Sequence, residues 1–133
     1  MNRMNRQLTG FSAIAATLLY ILSLTAGGQD KPKPGFQAKG YLVDIACAAV
    51  HNEHGDGSWG VTHNRRCLES QESAKLGFAL LLPNGKVYRF DPDGNALARK
   101  AIASTKKEFD FRIEVSGELV GNDLHVKSLT LLK

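Results

Sequence analysis

Five cysteine and histidine side chains fall within one short stretch of this chain: Cys47, His51, His54, His63 and Cys67. Cys47 precedes His51 by four residues, and His63 precedes Cys67 by the same interval. If each pair lies on a helical turn, a four-residue step places its cysteine and histidine on one face. Thiolate and imidazole donors on such faces suit zinc or copper. The stretch is therefore a candidate site for one of these metals, formed by these five side chains.

The same two cysteines also fit a disulfide. Two cysteines in one loop of an exported protein commonly oxidise to a disulfide bond. Closing a loop of about 20 residues stabilises a fold by roughly 3 kcal/mol in the chain-entropy description. We therefore predict a Cys47–Cys67 disulfide that pins a histidine-rich loop without a cofactor, with the zinc or copper site as the alternative. If the disulfide forms, the histidines remain near Glu53 and Asp56, either as solvated side chains or as ligands for a divalent metal.

Two further features of the stretch bear on its function. A cysteine nucleophile with a histidine base needs a reduced thiol and an oxyanion site. The sequence shows no recognisable oxyanion site, so we predict no catalytic residue and no enzyme activity. Trp59 lies among polar residues in the same stretch, and we expect it to cover the mouth of the fold or to contact a ligand.

The first 28 residues have the layout of a secretory signal peptide. Arg3 and Arg6 precede an apolar run over residues 11–26, and the small residues Ala26 and Gly28 end the segment. The run is shorter than the roughly 20 residues that span a bilayer. We therefore predict cleavage after Gly28, with Ala26 as the alternative position, in preference to an uncleaved anchor. This predicts a periplasmic or extracellular protein with no stable membrane span, and a flexible linker over residues 29–35.

Composition and charge limit the class of partner. The chain has 133 residues, enough for one domain, and its 43% apolar content excludes a wholly disordered protein. Its net charge of +4 includes Arg3 and Arg6, which leave with the signal peptide. The remaining domain is only slightly basic, and its strand aromatics follow the apolar face. We therefore expect no nucleic acid partner, and a small ligand or an envelope protein as the partner.

Five segments have the pattern of β-strands: residues 36–45, 78–82, 87–91, 108–115 and 124–132. In the fourth segment, apolar side chains alternate with charged ones, as in a strand with one buried face. Asn84-Gly85 favours a tight hairpin between the second and third strands. A switch of apolar parity within the last strand predicts a bulge near Ser128.

One helix is predicted between the third and fourth strands. Residues 96–102 carry apolar side chains at helical spacing, and Asp93 or Asn95 can cap the start. Three strands, a helix and two strands in about 100 residues match the OB-fold, which carries its helix at this place. We therefore predict a mainly β domain over residues 36–133, folded as a five-stranded, antiparallel, OB-like and partly open barrel.

Four short motifs follow one another along the chain: Asp44-Ile45-Ala46-Cys47, residues 63–67, Gly85-Lys86-Val87-Tyr88 and residues 115–121. Their order resembles a group of small, uncharacterised, secreted bacterial proteins with an Asp-x-x-Cys motif and a His/Cys loop. The resemblance covers most of residues 39–132 and implies an OB-like fold, but no reaction and no catalytic residue. We therefore expect a small, exported, non-enzymatic binding or envelope module, with metal binding through the loop as the alternative function.

Overall fold

The computed structural model describes residues 32–51 and 55–133. The predicted signal peptide, residues 1–28, lies outside the described residues, as do His54 and residues 29–31 of the predicted linker. The described residues contain the predicted barrel domain except residues 52–54.

Within these residues, five strands close into a barrel. The strands are β1 (Lys33–Asp44), β2 (Phe78–Leu81), β3 (Val87–Phe90), β4 (Arg112–Val120) and β5 (Asp123–Leu131). Their order around the barrel is β1-β2-β3-β5-β4, and all neighbours pair antiparallel except β3 and β5, which are parallel. The prediction of a mainly β, five-stranded barrel is confirmed. The barrel is closed, however, where we predicted a partly open one, and one strand pair is not antiparallel.

Helical segments occupy two of the connections between strands. The connection from β1 to β2 contains α1 (Ile45–His51), a 3₁₀ turn (Ser58–Val61), α2 (Arg65–Leu68) and α3 (Gln71–Leu76). The helix α4 (Pro92–Ala103) lies between β3 and β4, where the sequence predicts a helix. Its cap is Asp91, whose Oδ1 accepts the Gly94 N–H at 2.9 Å, so the predicted caps Asp93 and Asn95 are wrong. Proline suits the first helical position, and the cap therefore falls one residue before Pro92.

Two apolar clusters lie on opposite faces of β1 and β2. The interior cluster includes Leu42 and Leu80 and fills the barrel together with side chains of β3, β4, β5 and α4. The outer cluster contains Val43, Ala79 and Leu81, with Ala48 of α1 and the partly buried Trp59 packed against them. Because successive side chains of a strand point to opposite faces, β2 is covered on both sides. The outer cluster holds the helical connection against the barrel.

The last two strands show one confirmed detail and one correction. Ser116 pairs with Ser128 and Gly117 pairs with Val126, so the register shifts beside Ser128, where a bulge is predicted. The predicted fourth strand starts too early, because Phe109 is 57% exposed and β4 begins only at Arg112. The intervening Asp110 has a φ of 57°, in the left-handed region, and this conformation interrupts the strand before Phe111.

Candidate metal centre

The site begins at the junction between β1 and α1. Asp44, the last residue of β1, accepts the backbone N–H of Cys47 through its Oδ1 at 2.8 Å. A side-chain acceptor at this position caps the first turn of a helix. Ala48, the next residue of α1, is buried in the outer cluster. Both contacts fix Cys47 relative to the barrel wall.

The 3₁₀ turn brings a second part of the site against β1. Gly60 lies so close to Tyr41 that a Cβ atom at this glycine would stand 2.5 Å from two ring carbons of the tyrosine. Only a glycine permits this approach of the turn to the strand. The approach places Trp59 beside the outer cluster and His63, which follows the turn, in a buried position.

The short helix α2 carries Cys67. Asn64 caps this helix, because its Oδ1 accepts the backbone N–H of Cys67 at 3.0 Å. The hydroxyl of Ser73 donates to the carbonyl of Cys67. Backbone contacts from both sides therefore hold Cys67, which leaves its Sγ free to face the other site residues.

Cys47, His63 and Cys67 come together in space. The two Sγ atoms and one imidazole nitrogen of His63 all lie within 4.8 Å of one another. Two sulfur ligands at about 2.3 Å from a tetrahedral zinc ion are about 3.8 Å apart. The three donors are therefore close enough to hold one ion.

The predicted disulfide is not formed in the described residues. Cys47 and Cys67 are both free thiols, and their sulfur atoms lie within 4.8 Å of each other. A disulfide requires a sulfur–sulfur distance of about 2.05 Å. In place of the predicted disulfide, the structure shows three neighbouring side chains, those of Cys47, His63 and Cys67.

A buried carboxylate faces the histidine of this group. Oδ2 of Asp44 lies 3.0 Å from Nε2 of His63, and the two side chains are 2% and 4% exposed. The contact has ion-pair distance. Among the described residues, neither atom has a further partner beyond this contact. Buried polar atoms are nearly always paired, and these two atoms face each other within the site.

The pKa values of the two acids indicate what the metal-free site can do. Burial raises the pKa of Asp44, but hydrogen bonding with His63 and the Cys47 N–H outweighs it and holds the pKa below its ordinary value. Burial, with the charge of Asp44 and the nearby Cys67, raises the pKa of Cys47 to about 12. Cys47 is then a neutral thiol at pH 7 and a poor nucleophile. A metal ion, in contrast, can displace the thiol proton.

Trp59 separates the remaining histidine from the group. Its indole ring stacks on the His51 ring with centroids 5.0 Å apart, and it meets the His63 ring edge-on at 5.6 Å. His51 is exposed and lies outside the three-residue group, so the structure does not bring it to the other predicted ligands. His54 lies outside the described residues. The predicted five-ligand set is thus reduced to three residues in the part of the chain that the structure describes.

The sequence prediction missed Asp44. Its signal was the Asp-x-x-Cys spacing, in which the acidic residue stands three positions before Cys47. That spacing is typical of a helix N-cap, and the structure shows this role. The second role, at His63, depends on the fold and has no sequence pattern of its own.

Comparisons with models of protein families, with curated proteins and with solved structures gave no match. Among residues 32–51 and 55–133, no helix has the length and apolar character needed to cross a membrane. The function is therefore argued from the geometry of the site.

Proposed function

We propose that this chain is a small metal-binding protein that holds one zinc or copper ion through Cys47, His63 and Cys67. The observation that carries the proposal is the convergence of two sulfurs and one imidazole nitrogen within 4.8 Å, beside the buried carboxylate of Asp44. Two thiolates and an imidazole are the donors that zinc and copper(I) prefer. We infer no catalytic step, because the raised pKa of Cys47 disfavours a free thiolate.

The ion has a structural consequence in this proposal. Cys47 lies on α1 and Cys67 on α2, and each of these helices is too short to be stable alone. An ion bound by both cysteines joins the two helices and the histidine between them. Metal binding then stabilises the connection between β1 and β2, as structural zinc does in other small units.

We further propose an OB-like barrel in an exported protein. The order β1-β2-β3-β5-β4, with α4 between β3 and β4, supports the OB-like assignment. The arginine-led apolar segment at the N-terminus supports export to the periplasm or the exterior. A rigid barrel with its site in one connection is a common arrangement for a binding module.

A second function is supported by the short separation of the two sulfurs. In an oxidising compartment the Cys47 and Cys67 thiols can close to a disulfide, which removes both as metal ligands. The domain is then a disulfide-pinned binding or envelope module without a cofactor. In that case Trp59 is the residue we expect to contact a small ligand or an envelope protein.

Metal analysis and intact-mass measurement of the purified chain separate the two functions. We expect the reduced protein to bind one zinc or copper ion, and Cys47→Ser, Cys67→Ser and His63→Gln each to abolish binding. His125→Gln is the matched control, because His125 is an exposed histidine of β5. A protein that binds no metal under reducing conditions would overturn the first function. A mass two daltons lower after aerobic purification, again without metal, would favour the second.

A further inference from the structure

The carboxylate of Asp44 contacts two of the three residues that we propose as metal ligands. Its Oδ1 accepts the backbone N–H of Cys47 at 2.8 Å, and its Oδ2 lies 3.0 Å from Nε2 of His63. Cys47 lies on α1, whereas His63 follows the 3₁₀ turn. One side chain at the end of β1 therefore joins two parts of the connection, each of which carries a ligand.

The contact with Asp44 determines which nitrogen of His63 carries a proton. Contacts with His63 and the Cys47 N–H hold the pKa of Asp44 below its ordinary value despite its burial, so the side chain is an ionised carboxylate at pH 7. A carboxylate only accepts hydrogen bonds, and a neutral imidazole has one N–H and one nitrogen with a free lone pair. The contact therefore favours the N–H at Nε2, facing Oδ2, and the lone pair at Nδ1.

The imidazole ring of His63 is also held in this orientation. The side chains of His63 and Asp44 are both buried, and the Trp59 ring meets the imidazole edge-on with centroids 5.6 Å apart. Neither Nε2 nor Oδ2 has a further partner among the described residues. A ring rotation that broke their contact would leave two buried polar atoms unpaired, which is unfavourable. Nε2 is therefore kept toward Asp44, and Nδ1 is the nitrogen left for a ligand.

We propose that Asp44 is a positioning residue of the metal site, which binds the Nε2–H of His63 so that His63 binds the ion through Nδ1. The inference rests on the proposed metal-binding function and adds the residue that orients one of its ligands. Metal-binding histidines almost always donate their other ring N–H to a carboxylate, a carbonyl or water, which fixes the tautomer and makes the imidazole a stronger ligand. Because Asp44 acts through the imidazole, it strengthens the binding of zinc and of copper(I) alike.

The variant Asp44→Asn separates the two contacts of the carboxylate. Its amide oxygen still accepts the Cys47 N–H, and asparagine caps helices about as well as aspartate. The amide nitrogen then faces Nε2 of His63, and as a donor it cannot accept a hydrogen bond from the Nε2–H. The variant therefore favours the proton on Nδ1, the nitrogen that the ion requires.

Asp91 provides a matched control elsewhere in the chain. It also caps a helix through Oδ1, which accepts the Gly94 N–H at 2.9 Å, and its Oδ2 lies 3.9 Å from Nδ1 of His125. This aspartate–histidine pair belongs to no metal-ligand group of the described residues. Asp91→Asn therefore reports the effect of losing a capping carboxylate away from the proposed site.

The first measurement compares zinc and copper(I) affinities of the wild type, Asp44→Asn and Asp91→Asn by competition with chromophoric chelators under reducing, anaerobic conditions. We expect Asp44→Asn to raise both Kd values by about 10–100-fold, and Asp91→Asn to change neither.

The second measurement is long-range proton–nitrogen NMR of the ring nitrogens of His63. In the zinc-loaded wild type we expect the proton on Nε2 and the metal on Nδ1. In the metal-free proteins at pH 8 we expect the ring proton on Nε2 in the wild type and on Nδ1 in Asp44→Asn. A purely structural role of Asp44 would not move this proton.

The possible failures of the inference and of the proposed function are distinct. Unchanged affinities in Asp44→Asn, or zinc bound to Nε2 of His63 in the wild type, would overturn the inference and leave the proposed function standing. The spectrum of the zinc-loaded wild type decides the point even if the variant fails to fold. A loss of affinity confined to one metal would also contradict the inference, since the imidazole binds both. A wild type that binds neither metal under reducing conditions refutes the proposed function itself.

Discussion

The indole ring of Trp59 meets the imidazole ring of His63 edge-on, with ring centroids 5.6 Å apart. Trp59 is the single tryptophan of the chain, so its fluorescence comes from one known place. Its Nε1 is buried and has no hydrogen-bond partner among the described residues. The fluorescence of Trp59 should therefore respond to a change at His63, which we propose as a metal ligand.

We expect zinc to change the fluorescence emission of Trp59, with a titration that saturates at one equivalent of metal. The physical reason is the direct ring contact, because a metal-bound imidazole differs in charge and mobility from a free one. His63→Gln should abolish the response, and His125→Gln should retain it. An unchanged emission spectrum in a sample that binds one zinc ion by mass would contradict this placement of Trp59.

A second prediction concerns the reactivity of Cys47 in the metal-free protein. Burial, the Asp44 charge and Cys67 raise the pKa of this thiol to about 12, and only the thiolate reacts with iodoacetamide. In the Cys67→Ser background, where Cys47 is the one cysteine, the alkylation rate should rise about tenfold per pH unit from pH 7 to 9 and beyond. For a free thiol with a pKa near 8.5, the alkylation rate levels off in this range.

The charge of Asp44 contributes to the raised pKa of Cys47, and removing this charge tests the same prediction. The negative carboxylate disfavours a second negative charge on Cys47, so Asp44→Asn should lower the pKa of the thiol and speed alkylation at pH 8. Asp91→Asn should leave the rate unchanged. A rate that levels off below pH 9 in the parent would show that the thiol is not shielded as the structure indicates.

The parts of the fold that depend on short-range patterns could be predicted from the sequence. β2 and β3 form the antiparallel hairpin that the Asn-Gly pair predicts, with Gly85 at a φ of 84° in its turn, although Asn84 lacks the positive φ of a two-residue turn. The parallel pairing of β3 with β5 could not be predicted from the sequence, because it joins Arg89 to Asp123 across a helix and another strand. The exposure of Phe109 does not follow from the sequence pattern either, because one left-handed residue, Asp110, interrupts the alternation of the strand.

The sequence likewise predicts only those features of the site that depend on residues close together in the chain. Spacing alone places Cys47, His51, His63 and Cys67 in one candidate set, but it does not separate ligands from neighbours. α1 ends at His51, and the ring of this residue stacks on Trp59, away from the three-residue group. Asp44 belongs to the site only because the end of β1 lies against His63, which a sequence pattern does not encode.

A third prediction concerns Arg65, which joins the connection between β1 and β2 to the end of α4 and the loop that follows it. The guanidinium of Arg65 donates to the backbone carbonyls of Ile102, Thr105 and Lys107, and its side chain is 16% exposed. We expect Arg65→Ala to lower the free energy of unfolding by about 2–4 kcal/mol, because hydrogen bonds of charged groups each contribute about 1.5–3 kcal/mol and water replaces some of them. Urea unfolding measures the change.

The neighbouring Arg66 is the control for Arg65. It is exposed, and its replacement by alanine should alter the free energy of unfolding by no more than about 0.5 kcal/mol. Equal destabilisation by the two variants would contradict the role assigned to the partly buried guanidinium of Arg65. Since Arg65 is the first residue of α2, we also expect weaker zinc binding in Arg65→Ala than in Arg66→Ala.

Gly94 lies in the first turn of α4, and replacing it by alanine has two effects of opposite sign on the free energy of unfolding. In an ordinary helix, glycine-to-alanine replacement is stabilising by about 1 kcal/mol. Here a Cβ atom would stand 2.5 Å from Cγ2 of Val126 and 2.9 Å from Cβ of Phe90. The Phe90 atom is attached directly to the backbone of β3, so it cannot move aside without shifting the strand.

We therefore expect Gly94→Ala to destabilise the protein, because overpacking typically costs about 1–3 kcal/mol and exceeds the gain in helix propensity. A reciprocal replacement at Ala96, which is exposed on the same helix, isolates the propensity effect. Ala96→Gly should cost about 0.5–1 kcal/mol without any steric component. Urea unfolding of both variants measures the two effects. A more stable Gly94→Ala protein would show that α4 can withdraw from β3 and β5, and that this contact does not fix the helix on the barrel.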